Sequence, residues 1–122
     1  MSGDEFHLCP KYEKAVKLLG KPWTGLILRV LGRGPARFTT IAGQVRKLSD
    51  RVLSERLKEL EQQGVVHRHV VPTTPVKIEY SLTEKGHALQ HVLDALQEWA
   101  DRWETVDIPE PASVSSRLSS TR

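Results

Sequence analysis

Arg51, Ser54, Glu55 and Lys58 stand three, four and seven residues apart, the spacing that gathers side chains on one face of a helix. A guanidinium there can give two hydrogen bonds to guanine O6 and N7, and a carboxylate can accept from a cytosine amino group. An ammonium group suits a phosphate, which sets affinity rather than sequence. Ser49 and the basic pair Arg46-Lys47 lie immediately before this run. On an isolated helix the same mixture would be an ordinary solvated face. Its meaning therefore depends on the elements around it.

Other candidate chemistries are thinner. Cys9 is the one cysteine, so no internal disulfide can form, and an intracellular setting (cytoplasmic for a protein of this kind) is expected. His87 and His91 are four apart, and His67 and His69 share one face of a strand. Neither pair is completed by cysteine or carboxylate into a recognisable metal site, so no metal or cofactor is expected. No Ser-His-Asp set or glycine-rich phosphate loop is present, and Cys9 has no evident partner base. An enzyme, for instance a thiol-based redox enzyme, is the weakest alternative.

The elements that must position these residues are legible from their period. The chain is 122 residues long, enough for one domain. Residues 1–8 read as a disordered arm, 9–104 as the folded domain and 105–122, with Pro109, Pro111 and a serine-rich end, as a disordered tail. Pro10 suits a first helical turn, and Tyr12, Ala15, Val16 and Leu19 mark a face of the first helix, closed at Gly20. Trp23, Leu26, Ile27, Val30 and Leu31 give a second helix, with Trp23 assigned to the core. After the break at Gly32-Arg33-Gly34-Pro35, Phe38, Ile41, Ala42 and Val45 form a short third helix, with Thr39 or Thr40 as its cap.

The fourth helix has both ends written in. Ser49 is a good N-cap, Asp50 opposes the positive end of the helix dipole, and Gly64 can close the helix in a left-handed conformation. Leu53, Leu57 and Leu60 form its buried stripe. A short third helix, a tight connection and a capped basic fourth helix make a helix-turn-helix plan. Residues 65–71 and 77–82 then read as two strands around Pro72-Thr73-Thr74-Pro75, with Ile78, Tyr80 and Leu82 inward. A hairpin directly after such a helix is a wing. The fold class expected is mostly α with a small β-hairpin, a winged helix-turn-helix.

Thr83-Glu84-Lys85 begins a last helix whose apolar positions are Leu89, Val92, Leu93, Leu96, Trp99, Ala100 and Trp103. That stripe is long and wide for a small core, so it is assigned, with Tyr12, to a homodimer interface; the alternative is a helix packed on its own domain. Charge divides the same way. From Lys11 to Lys58 twelve Lys and Arg face three acids, a net +9, whereas Glu59 to Glu110 nets −6. A polyanion would be drawn to the first half alone. No run approaches the roughly 18 apolar residues of a membrane span, and the N-terminus lacks the plan of a signal peptide.

Several stretches together resemble the HxlR-type winged helix-turn-helix transcription factors, relatives of the MarR-type regulators. They are Cys9-Pro10, Lys21-Pro22-Trp23-Thr24, Ile27-Leu28-Arg29-Val30-Leu31, Gly34-Pro35-Ala36-Arg37-Phe38, Leu48-Ser49 with Val52 to Leu60, and Glu79-Tyr80-Ser81-Leu82-Thr83-Glu84-Lys85-Gly86. The likeness covers about residues 9–104. It departs at Lys21-Pro22-Trp23, where the family commonly has Gly-Lys-Trp. The resemblance implies a homodimer joined through terminal helices, one fourth helix in each major groove of an inverted-repeat operator in double-stranded DNA, and wings on the flanking backbone. In that frame Ser49, Arg51, Ser54 and Glu55 face bases, and Arg46, Lys47 and Lys58 face phosphates. Thr73, Thr74 and Lys77 lie on the wing. Arg56 is lateral, where pairing with Glu59 or Gln63 competes with DNA contact.

The family also includes members that sense oxidants or electrophiles through a cysteine at the place of Cys9. Helix N-termini and neighbouring cations, here Lys11 and Lys14, favour the thiolate, the reactive form of cysteine. The alternative is a small buried apolar residue. MarR-type relatives suggest an apolar cavity for an aromatic effector. The function expected is a DNA-binding regulator, a repressor since occlusion of a promoter needs no further partner surface. A winged-helix module that binds protein rather than DNA is the main alternative.

Overall fold

The computed structural model describes residues 9–106, and the expectations for 1–8 and for the tail beyond 106 lie outside them. Five helices and three strands follow in order: α1 Pro10–Gly20, α2 Thr24–Leu31, β1 Ala36–Arg37, α3 Phe38–Gln44, α4 Asp50–Gln62, β2 Val66–Val71, β3 Lys77–Leu82 and α5 Glu84–Trp103. The strands form an antiparallel sheet in the order β1-β3-β2.

The ends of α4 are closed as its residues dictate. The Val52 N–H donates to the Ser49 hydroxyl at 3.2 Å, and Gly64 takes a φ of 74°. Leu53, Leu57 and Leu60 are buried against Ile27, Leu28 and Leu31 of α2, Ile41 of α3 and Val65 and Val66 beyond the turn, in one core. At the roughly 1.5–3 kcal/mol that full burial of such a side chain contributes, these leucines hold α4 in place from one side only.

The start of α5 is tied to the end of α4 by the side chains of Thr83 and Lys85. The Thr83 hydroxyl donates to Gly64 O at 2.6 Å and lies 3.1 Å from Val65 O, while its oxygen accepts from the Gly86 N–H at 3.1 Å. Lys85 Nζ reaches Gln63 O at 2.6 Å and so satisfies a carbonyl at the closing end of α4. Gly86 is buried where any Cβ would run into Val65 O and the Leu82 side chain. The Thr-Glu-Lys-Gly stretch is thus a structural seam. Further along, Arg29 Nη1 meets Asp94 Oδ1 at 2.6 Å, and Gln90 Nε2 donates to Leu28 O at 3.1 Å, fastening α5 to α2.

Several expectations are corrected. Trp23 is not a core residue: it precedes α2 with φ 74° and is 38% exposed, while Thr24 beside it is buried. The left-handed backbone after Pro22 turns the indole off the helical face that the periodicity assigned to it. On α1, Leu18 and Leu19 are packed against the core, while Val16 and Tyr12, the latter assigned to the interface and not to the core, are exposed. Thr39 and Thr40 lie inside α3, which starts two or three residues earlier behind Arg37 and has no side-chain cap. The pairing of Ala36 with Tyr80 adds β1 to the expected hairpin and fixes that earlier start. Leu93, assigned to the interface, is buried in the protomer's own core at 6% exposure, and half-buried Leu89 packs against that core from the edge of the exposed stripe. The stripe is wide because it has two faces.

Candidate nucleic-acid interface

With its leucines inward, α4 turns Arg51, Ser54, Glu55 and Lys58 to solvent together. Arg46 and Lys47 occupy the α3–α4 turn and are exposed at its foot; Arg46 Nε donates back to Gly43 O at 3.3 Å. Arg51 Nε lies 3.7 Å from Glu55 Oε2, and the Arg51 side chain is 84% exposed. An exposed pair of that length contributes little to stability, so the guanidinium is loosely parked and free to turn to another acceptor. The Ser49 hydroxyl accepts the α4 cap bond, which leaves its proton for donation outward. All seven residues are exposed, four on α4 and three in the turn that leads into it.

The three wing residues stand apart from these seven at the far end of the hairpin. Thr73 and Thr74 sit in the β2–β3 turn beside a cis Thr74-Pro75 bond, and Lys77 opens β3 opposite Val71. The Thr73 hydroxyl donates to Pro75 O at 2.7 Å, so it shapes the turn first. Arg56 is settled: its side chain bonds Pro22 O and Glu59 and does not join the exposed face. Arg37, which the expected site lacked, is exposed at the start of α3 opposite Glu79 of β3. A two-residue strand carries no alternation, so nothing in the sequence marked it.

Cys9 is exposed immediately before α1, which overturns the reading of a small buried residue. Tyr12, Val92, Leu96, Trp99 and Trp103 are exposed, and Ala100 is half-buried. A groove of about 330 Å³ runs between α1 and α5, floored by Ala15, Leu18, Leu89 and Val92 and rimmed by Lys11, Lys14 and Lys85. Among the described residues no group of three or more His, Cys, Asp and Glu is placed to hold a metal ion. No helix among them is long and apolar enough to cross a membrane.

Residues 18–107 match the family model described as HxlR-like helix-turn-helix. The chain belongs to the HxlR-like helix-turn-helix family. It is 54% identical over 96 residues to the transcriptional regulator YodB of Bacillus subtilis, covering 79% of this chain and 86% of YodB. It is 52% identical over 100 residues to the uncharacterized regulator YvaP of the same organism, covering 82% and 93%. The reduced form of YodB superposes with a TM-score of 0.76 at 53% identity over 83% of this chain and all of that one. YodB has also been solved diamide-treated and quinone-bound. The oxidized form of the redox regulator HypR superposes with a TM-score of 0.73 at 34% identity, over 80% of this chain and all of HypR. This HxlR-like chain is a helix-turn-helix transcriptional regulator, not an enzyme.

Proposed function

We propose that the chain is a homodimeric regulator that binds a specific inverted repeat in double-stranded DNA and represses by occupying it. The observation that carries this reading is the exposed face of α4. Arg51, Ser54, Glu55 and Lys58 point outward together, with Arg46 and Lys47 at the foot of the helix and no apolar residue among them. In a winged helix such a face enters the major groove with its first turns toward base edges. Arg51 and Glu55 then discriminate bases, Ser49 and Ser54 assist, and Arg46, Lys47 and Lys58 neutralise phosphates, with Thr73, Thr74 and Lys77 along the flanking backbone. The exposed residues of α1 and α5 supply the surface between the two copies.

Selection of random duplex DNA by the purified protein tests the reading. The expected survivors carry an inverted repeat with half-sites about one helical turn, or a multiple of it, apart. No enrichment under reducing and oxidising conditions alike would favour a protein-binding module instead.

A second reading concerns control, and the exposure of Cys9 favours it. Two Cys9 thiols in a dimer can give up two protons and two electrons to an oxidant such as diamide or a peroxide. One intersubunit S–S bond forms, and its span shifts one reading helix relative to the other. Mass spectrometry after mild oxidant treatment is expected to show Cys9 modified, with a parallel change in operator affinity. An unmodified Cys9 and unchanged binding would end this reading.

A further inference from the structure

We propose that Arg56 and Glu59 are positioning residues that set the roll of α4 by clamping it to the α1–α2 turn, and so govern operator specificity without touching DNA. The proposal rests on the DNA-reading role given to α4 above. Its basis is a closed ring of polar contacts. Arg56 Nε donates to Pro22 O at 3.0 Å, and Arg56 Nη1 lies 3.4 Å from Glu59 Oε2. The same carboxylate oxygen lies 3.2 Å from Lys21 Nζ. Lys21 and Pro22 are adjacent in the turn, so two positions of α4 about one helical turn apart are fixed to two adjacent positions of that turn.

The location gives the ring its purpose. Leu53, Leu57 and Leu60 fix the depth of α4, but a single apolar stripe restrains rotation about the helix axis weakly. Arg56 and Glu59 flank that stripe, the Arg56 side chain only 16% exposed. A roll of about 10° carries a side-chain tip about 5–6 Å from the axis through about 1 Å. Hydrogen bonds to base edges have a distance window of about half an ångström, so such a roll decides which bonds form. The turn is itself stiffened by Pro22 and by the Thr24 N–H bond to Lys21 O at 3.2 Å. Moreover, α1 has no buried residue, and besides half-buried Leu18 and Leu19 this ring joins its end to the reading helix.

Arg56 is suited to the task and lysine is not. A planar guanidinium holds two acceptors at fixed angles, whereas an ammonium group on a flexible stem holds one point. The experiment compares wild type, Arg56→Lys, Arg56→Gln, Glu59→Gln and the double Gln variant. Binding is measured to the selected operator and to a scrambled duplex across a salt series. Each variant is expected to lose about tenfold in operator-over-scrambled preference, the size of one lost base discrimination. Scrambled-duplex affinity and the salt slope should stay as in wild type, and the double variant should be no worse than the worse single.

Amide-resolved hydrogen exchange without DNA supplies an independent arm. The Thr24 N–H should exchange about tenfold faster in Arg56→Gln, as for loss of one charge-assisted hydrogen bond, with the centre of α4 unchanged. A salt slope reduced by about one phosphate would make Arg56 a DNA contact and overturn the proposal. Unchanged preference in Arg56→Lys and Arg56→Gln, or additive losses, would overturn it as well. Should wild type select no operator, the DNA-reading role fails on its own account. Exchange then decides the clamp: an unchanged Thr24 rate removes it, and a faster one keeps it as a constraint on α4 alone.

Discussion

Arg51 is the residue whose removal says most about how the surface reads a partner. Its loose pairing with Glu55 at 3.7 Å keeps the guanidinium at the ready in the free protein at little cost. Arg51→Ala is expected to lower operator affinity by about 1–3 kcal/mol and to relax the preference at one base pair, read by gel-shift titration against a panel of single-base variants. Lys58→Ala should weaken all duplexes alike and shallow the salt slope by about one phosphate. If the two variants behaved identically, the division into base-reading and phosphate-holding residues would be wrong. The exposure of these side chains was legible because each lies on a helix whose phase is fixed by three leucines. Arg56 was not assignable in that way, since its lateral phase suits two partners and only Pro22, distant in sequence, decides between them.

Among the elements, α4 and α5 owe most to their own residues and to the seam where they meet. Leu57→Ala is expected to cost about 2–5 kcal/mol by leaving a cavity at the centre of the core, measured as a lowered urea midpoint. Gly86→Ala should cost about 1–3 kcal/mol for a different reason, since the added methyl must displace Val65 or Leu82 in a closed seam. Helices capped by neighbours in sequence, such as Ser49 for α4 and Thr83 for α5, were readable because the cap and the capped N–H are three residues apart. The strand β1 and the start of α3 were not, because a two-residue strand exists only through its register with Tyr80 and Glu79. The turn at Trp23 escaped for a related reason. A left-handed φ is disfavoured for a residue with a side chain, so no local rule places it at a tryptophan.

At the scale of the whole molecule, one protomer leaves a surface that its own core does not use. Leu93 and Leu96 lie three apart on α5, yet one is 6% exposed and the other 56%. Leu93→Ala is therefore expected to lower protomer stability, whereas Leu96→Asp should leave the fold intact and shift the protein to monomers in sedimentation equilibrium. Reversal of those two outcomes would exchange the inner and outer faces of α5. The uneven charge adds a second molecular property. Because the half up to Lys58 is basic and the half that contains α5 acidic, the proposed DNA binding is expected to weaken steeply with salt and the proposed self-association much less.

The three tryptophans carry a practical consequence. Trp23, Trp99 and Trp103 are all exposed in the protomer, and none belongs to the core. Intrinsic emission from this protein should therefore be red and solvent-quenchable when the chain is dilute, and unfolding should change its colour little. Assembly through α5 would instead enclose two of the three indoles and move the band to the blue as concentration rises. Fluorescence, the customary gauge of folding, becomes in this molecule a gauge of company.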